Sequence, residues 1–159
     1  MNRRHLLLLL AALPAIARAQ EDKITAPQPK LPTEKLTIVT KDGKRHDFTV
    51  ELATTPREQE VGEMFRKVVP PDQGMLFVFD FPRESPFWMK NTLVPLDMVF
   101  INPDGTIRAI ADNTVPESLA PVSSHGPVLA VLELAGGITA KLNIVVGDKV
   151  VAKQFNDVG

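Results

Sequence analysis

The chain has 159 residues, with 18 Lys and Arg against 19 Asp and Glu, so a formal charge of −1 offers no electrostatic case for nucleic acid or an anionic membrane surface. It has no cysteine, which excludes disulfides and a lipid-modified N-terminal cysteine, and leaves the core alone to hold the fold.

In the opening MNRRHLLLLLAALPAIARAQ, Arg3, Arg4 and His5 form a basic region and Leu6 to Ile16 an apolar one. Ala17-Arg18-Ala19 is an A-x-A cleavage site. The expectation is a cleaved signal peptide over 1–19 and an exported protein, periplasmic or extracellular. The apolar run is too short to remain as a stable membrane span. The Arg3-Arg4 pair leaves twin-arginine export open beside the general route. The mature chain would begin at Gln20 and hold 140 residues (159 minus 19), with 15 basic residues against 19 acidic ones. Residues 20–35 (QEDKITAPQPKLPTEK) carry Pro27, Pro29 and Pro32 and little that is apolar, which predicts a disordered Pro-rich tether. A single β-rich domain then spans 36–155, with a tail at 156–159.

LTIVT (36–40) and RHDFTVELA (45–53) read as a hairpin around Asp42-Gly43. Thr55-Pro56-Arg57-Glu58 is a capping box with proline at the first helical position, predicting one short helix over about 55–68. Val61, Met64, Phe65 and Val68 would form its apolar stripe, and Pro70-Pro71 its end. Strands follow at MLFVF (75–79), FWMKN (87–91), LDMVFI (96–101), TIRAIA (106–111), VLAVLEL (128–134), NIVV (143–146) and KVVAKQF (149–155). A second short helix is expected near 137–142. Short strands separated by Gly, Pro and Asp turns indicate a mainly β, compact sandwich or barrel-like domain.

The motifs Gly74-Met75-Leu76-Phe77, Phe87-Trp88-Met89-Lys90-Asn91-Thr92 and Pro95-Leu96-Asp97 carry a family resemblance. Met64-Phe65-Arg66, Leu132-Glu133-Leu134 with Gly136, and Gly147-Asp148 extend it. Over roughly Leu36 to Val151 the chain resembles the domain of unknown function 192 family of small bacterial and archaeal proteins. The resemblance implies a compact, mainly β, sandwich-like domain and no particular activity. Two departures stand out: Gly62-Glu63-Met64 where the family usually reads Gly-Leu-Met, and no aromatic residue around Ser123-Ser124.

Two charges, Lys90 and Asp97, interrupt apolar runs, and burying a charge is costly unless it is paired or used. Pairing FWMKN with LDMVFI as a hairpin sets Lys90 opposite Asp97, with Trp88 and Val99 on the same face. On one reading the pair is scaffold that fixes register. On the other, Lys90 and Asp97 join Glu133, a further carboxylate in an apolar strand, in a site that holds a polar ligand against Trp88 or moves protons. The ligand-binding candidates are Trp88, Lys90, Asn91, Asp97 and Glu133. The catalytic candidates, if the protein is an enzyme, are Asp97, Glu133 and Lys90.

Met64, Met75, Met89 and Met98 are thioethers of the kind that bind Cu(I), but they sit in core-like patterns, so no metal and no cofactor is expected. Ser123-Ser124-His125-Gly126 lacks the strand–turn–helix setting of a hydrolase nucleophile and reads as a polar loop. The irregular stretch from Asp112 to Gly126 is long enough to cover the Trp88 face as a lid. The reading is an exported, monomeric module that binds an unknown small molecule or envelope component. The alternatives are a carboxylate-dependent hydrolase acting on an envelope carbohydrate or peptide, and a purely structural or protein-interaction domain.

Overall fold

The structure is a computed structural model in which residues 23–155 are described. The signal peptide expected over 1–19, the start of the tether and the tail at 156–159 lie outside the described residues.

The elements run β1 (Thr33–Val39), β2 (Arg45–Ala53), α1 (Pro56–Val61), β3 (Gln73–Arg83), β4 (Leu96–Ile101), β5 (Ile107–Ala111), β6 (Val128–Ala135), α2 (Ile138–Lys141) and β7 (Lys149–Val151). All seven strands join one sheet in the order β5-β4-β6-β3-β2-β1-β7. Every pairing is antiparallel except β2 with β3, which are connected through α1. The two edges curl toward each other. Ile107 N donates to Asp148 O (2.9 Å) and Val150 N to Gly105 O (2.8 Å), and Thr106 bridges Lys149. The expected mainly β, barrel-like domain is therefore, among the described residues, a single sheet rolled into a half-barrel.

Strand alternation sorts the side chains into two cores. Inside the curl lie Leu36, Ile38, Phe48, Leu76, Val99, Ile101, Leu132 and Val150. On the outer face lie Met75, Phe77, Met98, Phe100 and Val131, covered by Met89 and Leu96. Strands buried on both sides explain why β4 and β6 read as continuous apolar runs.

The capping box forms as read: Thr55 accepts from Glu58 N, and the Glu58 carboxylate accepts from Thr55 N. The helix predicted over 55–68 nevertheless ends at Val61, because Gly62 adopts φ 47° and turns the chain. Val61 and Met64 are buried as the stripe required, whereas Val68 is exposed. NIVV (143–146) is not a strand; Val145 and Val146 are exposed, and β7 begins only at Lys149. The tether expected to run free to Lys35 is docked well before that. Thr33 to Lys35 are β1 residues, and Gln28 Nε2 donates to the carbonyls of Glu58 (3.1 Å) and Gly62 (3.0 Å) at the end of α1.

The largest correction concerns FWMKN. It is not a strand paired with β4, because both edges of β4 are occupied, by β5 and β6. Only Phe87 makes a bridge, to Val122. Asn91 lies in the left-handed region (φ 55°) and Thr92 N closes a turn onto Met89 O (3.0 Å), which ends any extended run.

Gly74 makes a close approach that tests the β3–β6 packing. A Cβ there would lie 2.3 Å from the Glu133 carbonyl oxygen and 2.8 Å from Leu134 Cδ2. Gly74→Ala is expected to cost about 1–3 kcal/mol, as overpacking against backbone does. Thermal denaturation measures it, and an unchanged melting temperature would contradict this packing.

Candidate functional site

Register places the site. Glu51 of β2 pairs with Met75 of β3, Met75 with Glu133 of β6, and Glu133 with Met98 of β4. These four side chains form one row across the outer face, and Ala53, Phe77, Val131 and Phe100 form the next. Two acids are thus built into an otherwise apolar surface. The turn after α1 lays Glu63 and Arg66 over the same row.

The two acids of the row meet different fates. Arg66 grips Glu51 with both ends of its fork, Nη1 to Oε1 at 2.6 Å and Nη2 to Oε2 at 2.9 Å, and Leu31 N adds a hydrogen bond at 2.7 Å. Burial opposes the charge on Glu51, but Arg66 and the Leu31 N–H outweigh it and hold this carboxyl below its ordinary range. Glu133 is only 5% exposed and receives no hydrogen bond from any described residue. Burial, reinforced by Glu63, pushes its carboxyl well above the ordinary range, with Arg66 opposing.

Glu63 is 3% exposed. Its Oε2 lies 3.1 Å from Arg66 Nε but off the line of a hydrogen bond, so this buried oxygen has no donor among the described residues. Burial raises Glu63 to about 7, Arg66 works against it, and Glu51 adds to the rise. A buried carboxyl oxygen left without a hydrogen bond, beside a second buried acid, is an exception that packing alone does not explain.

Both face a pocket of about 460 Å³, within the size range of small-molecule sites. Glu63, Glu133, Met64 and Thr92 lie at its base. Its walls are α1 and the stretch from Phe77 to Trp88, with Phe77, Phe79, Phe81 and Phe87 among them. Phe77 and Phe87 hold each other edge to face at 5.2 Å. Trp88, 47% exposed, stands at the mouth. Two rings of the rim already carry cations: Arg83 lies 4.3 Å from the Phe79 centroid, and Lys90 Nζ lies 5.0 Å from that of Trp88.

Of the residues expected to form the site, Trp88 and Glu133 share this pocket. Asp97 does not. It alternates onto the inner face with Val99, opposite to Met98 and Glu133, so Asp97 and Glu133 face no common cavity. It is fully buried and accepts from Asn113 N (2.7 Å), Gly137 N (2.7 Å), Thr139 N (2.8 Å) and Thr139 Oγ1 (2.6 Å). The expected Lys90–Asp97 pair is absent, since Lys90 is exposed beside Trp88 on a segment that never pairs with β4. Asn91 stands one step from the pocket, its Nδ2 donating to Met64 Sδ at 3.7 Å.

The sulfurs considered for Cu(I) are engaged separately. Gln28 donates to Met75, Asn91 to Met64 and Thr114 to Met89, while Met98 is fully buried. The Asp112–Gly126 stretch is not a lid over the pocket and lines none of it. It braces the 87–96 segment from the side, through Met89 N to Ser118 O and Glu117 N to Thr92 O. Ser123 Oγ donates to Glu84 and Ser124 Oγ to Gly126 O, as befits a polar loop.

Sequence reasoning missed Glu63 as a site residue. Its signal was in view, an acid between Gly62 and Met64 in a stripe that turns inward, but only the three-dimensional turn at Gly62 aims it at Glu133.

Comparison with known proteins agrees with the fold. The family model described as Uncharacterized ACR, DUF192, matches residues 37–152. A crystal structure from Sinorhizobium meliloti 1021, described as a candidate transcription regulator, is 44% identical, with TM-score 0.78. The match covers 80% of this chain and 98% of that one. A protein of unknown function from Novosphingobium aromaticivorans DSM 12444 is 41% identical, with TM-score 0.75, over 83% of this chain and 95% of that one. No curated protein matches. With the match spanning β1 to β7 and two relatives above 40% identity, the chain belongs to the DUF192 family.

Proposed function

We propose that this protein is an exported small-molecule binding module of the cell envelope, with its ligand seated in the pocket between α1 and the Phe77–Trp88 stretch. The observation that carries this reading is the pair Glu63 and Glu133, buried together at the base of an aromatic-walled pocket, with Glu63 Oε2 lacking a hydrogen bond among the described residues. A fold that desolvates two acids for nothing loses stability, and sites are where such losses are tolerated. Export rests on the sequence signal at 1–19. The description of the S. meliloti relative as a regulator gains no support here from charge, with 18 basic residues against 19 acidic.

A thermal-shift screen of residues 20–159 against amines, glycans and peptides tests the reading. A ligand at about 100 times its Kd raises stability by about 2.7 kcal/mol. Ser85→Trp, which fills the pocket from its wall, should abolish the rise. A rise that survives this substitution would put the ligand elsewhere.

A further inference from the structure

We infer that the ligand carries a cationic nitrogen on an apolar body, an organic ammonium whose charge rests on Glu63 and Glu133 and whose carbon surface rests on Phe77, Phe87 and Trp88. This deepens the pocket reading above and depends on it.

Charge is the first reason. The groups that face the two acids are Glu51 from β2, Arg66 from the turn after α1, Glu60 from α1, and Asp80 and Arg83 from β3. Arg66 spends its fork on Glu51, and Arg83 lies over the Phe79 ring. Glu60 is paired with Arg57 at 2.9 Å and Glu63 shares Arg66 with Glu51, which leaves Glu133 and Asp80 as lining acids with no ion pair among the described residues. Hydrogen bonding is the second reason. Once ionised, a carboxylate only accepts, and Glu63 Oε2 has the off-line ion pair with Arg66 Nε at 3.1 Å and no hydrogen bond from the described residues. The partner it lacks is a donor, and a positive one matches both needs. The walls are the third. Aromatic faces attract cations, and here the rims of Phe79 and Trp88 already hold a guanidinium and an ammonium of the chain itself.

Proton linkage follows. Empty, burial makes both acids hold their protons above the ordinary carboxyl range, Glu63 to about 7. A cation requires them ionised, so binding releases protons and tightens as pH rises. A neutral sugar would instead take hydrogen bonds from the protonated acids and bind more weakly as pH rises.

The probe is benzylammonium, a cation with three N–H donors across pH 5 to 8, against benzyl alcohol and a neutral disaccharide. Each is titrated into residues 20–159 while the methyl signals of Met64 and Met75 and the ring signals of Phe77 are followed by NMR. The expected result is shifts at these signals with the ammonium, with affinity rising by up to about tenfold per pH unit for each proton released below the carboxyl midpoint. Both Glu133→Gln and Glu63→Gln should weaken it about tenfold or more. No shift with the ammonium, or affinity that falls as pH rises, overturns the cation. If the disaccharide or the alcohol binds at the same signals as tightly as the ammonium does, the cation is also overturned while the pocket reading stands. If no probe moves these signals and no screen hit is lost in Ser85→Trp, the pocket reading fails with it.

Discussion

Asp97→Ala is expected to cost about 3–4 kcal/mol, while Lys90→Met stays within about 0.5 kcal/mol of the parent. Asp97 gathers three backbone N–H groups and a hydroxyl from two separate loops: Asn113 beyond β5, and Gly137 and Thr139 at the start of α2. Truncation strands those donors, Thr139 in a fully covered position, and each buried donor left unmet costs about 1–3 kcal/mol. Asp97→Asn should fall between, because one oxygen still accepts while the new NH2 group faces a donor. Lys90 reaches only the exposed Trp88 ring, and contacts of that kind contribute little. Denaturant melts of the three variants measure the order. Equal losses for Asp97→Ala and Lys90→Met would restore the ion pair that the strand order excludes.

Raising the pH from about 5 to about 8 is expected to weaken the domain, and Glu133→Gln to remove much of that loss. Both carboxyls titrate higher in the folded chain than in the unfolded one. Their preference for the proton therefore adds stability below the ordinary carboxyl value of 4.5, and that stability is lost as pH climbs through the folded value. For Glu63 the window runs from 4.5 to about 7, which corresponds to a loss on the order of 3 kcal/mol. Glu133 acts in the same direction. Glu133→Gln keeps the shape and gives up the charge, so its melting temperature should exceed the parent's at pH 8 and approach it at pH 5. Melts across this range decide the matter. A parent that grows more stable between pH 5 and 8 would mean the acids are not buried as described.

Much of the fold was legible because it is written in local rules. The Thr55 capping box, the Asp42-Gly43 turn and the strand runs at 45–53 and 128–134 each depend on residues a few positions apart, and each formed where expected. The failures share a cause in strand order. Met98 and Lys90 are close in sequence, yet β4 is hydrogen-bonded to β5 and to β6, from some thirty residues further on. No local pattern in FWMKN announces that its natural partner edge is taken. The site was half legible for the same reason. Trp88 and Glu133 were singled out as an aromatic and an acid out of keeping with their runs, whereas Asp97 was equally out of keeping and turned out to be a loop anchor. Whether a buried acid faces the pocket or anchors loops is decided by which face of β4 or β6 carries it, and that is a property of the sheet.

The contacts of Gln28 change where this domain can be cut. Its amide ties off the carbonyls at the end of α1, and Leu31 N reaches Glu51, the acid that occupies Arg66. Both residues precede the first position matched by the family model, residue 37. A fragment trimmed to the family boundary would keep six whole strands and both helices but lose the start of β1 and free the end of the helix that walls the pocket. It would also slacken the hold on Arg66, the nearest counter-charge to Glu63 and Glu133. The smallest unit with an intact pocket wall is therefore longer than the smallest recognisable one, and the strands share responsibility for the pocket with a proline-rich strap that sequence composition alone would discard.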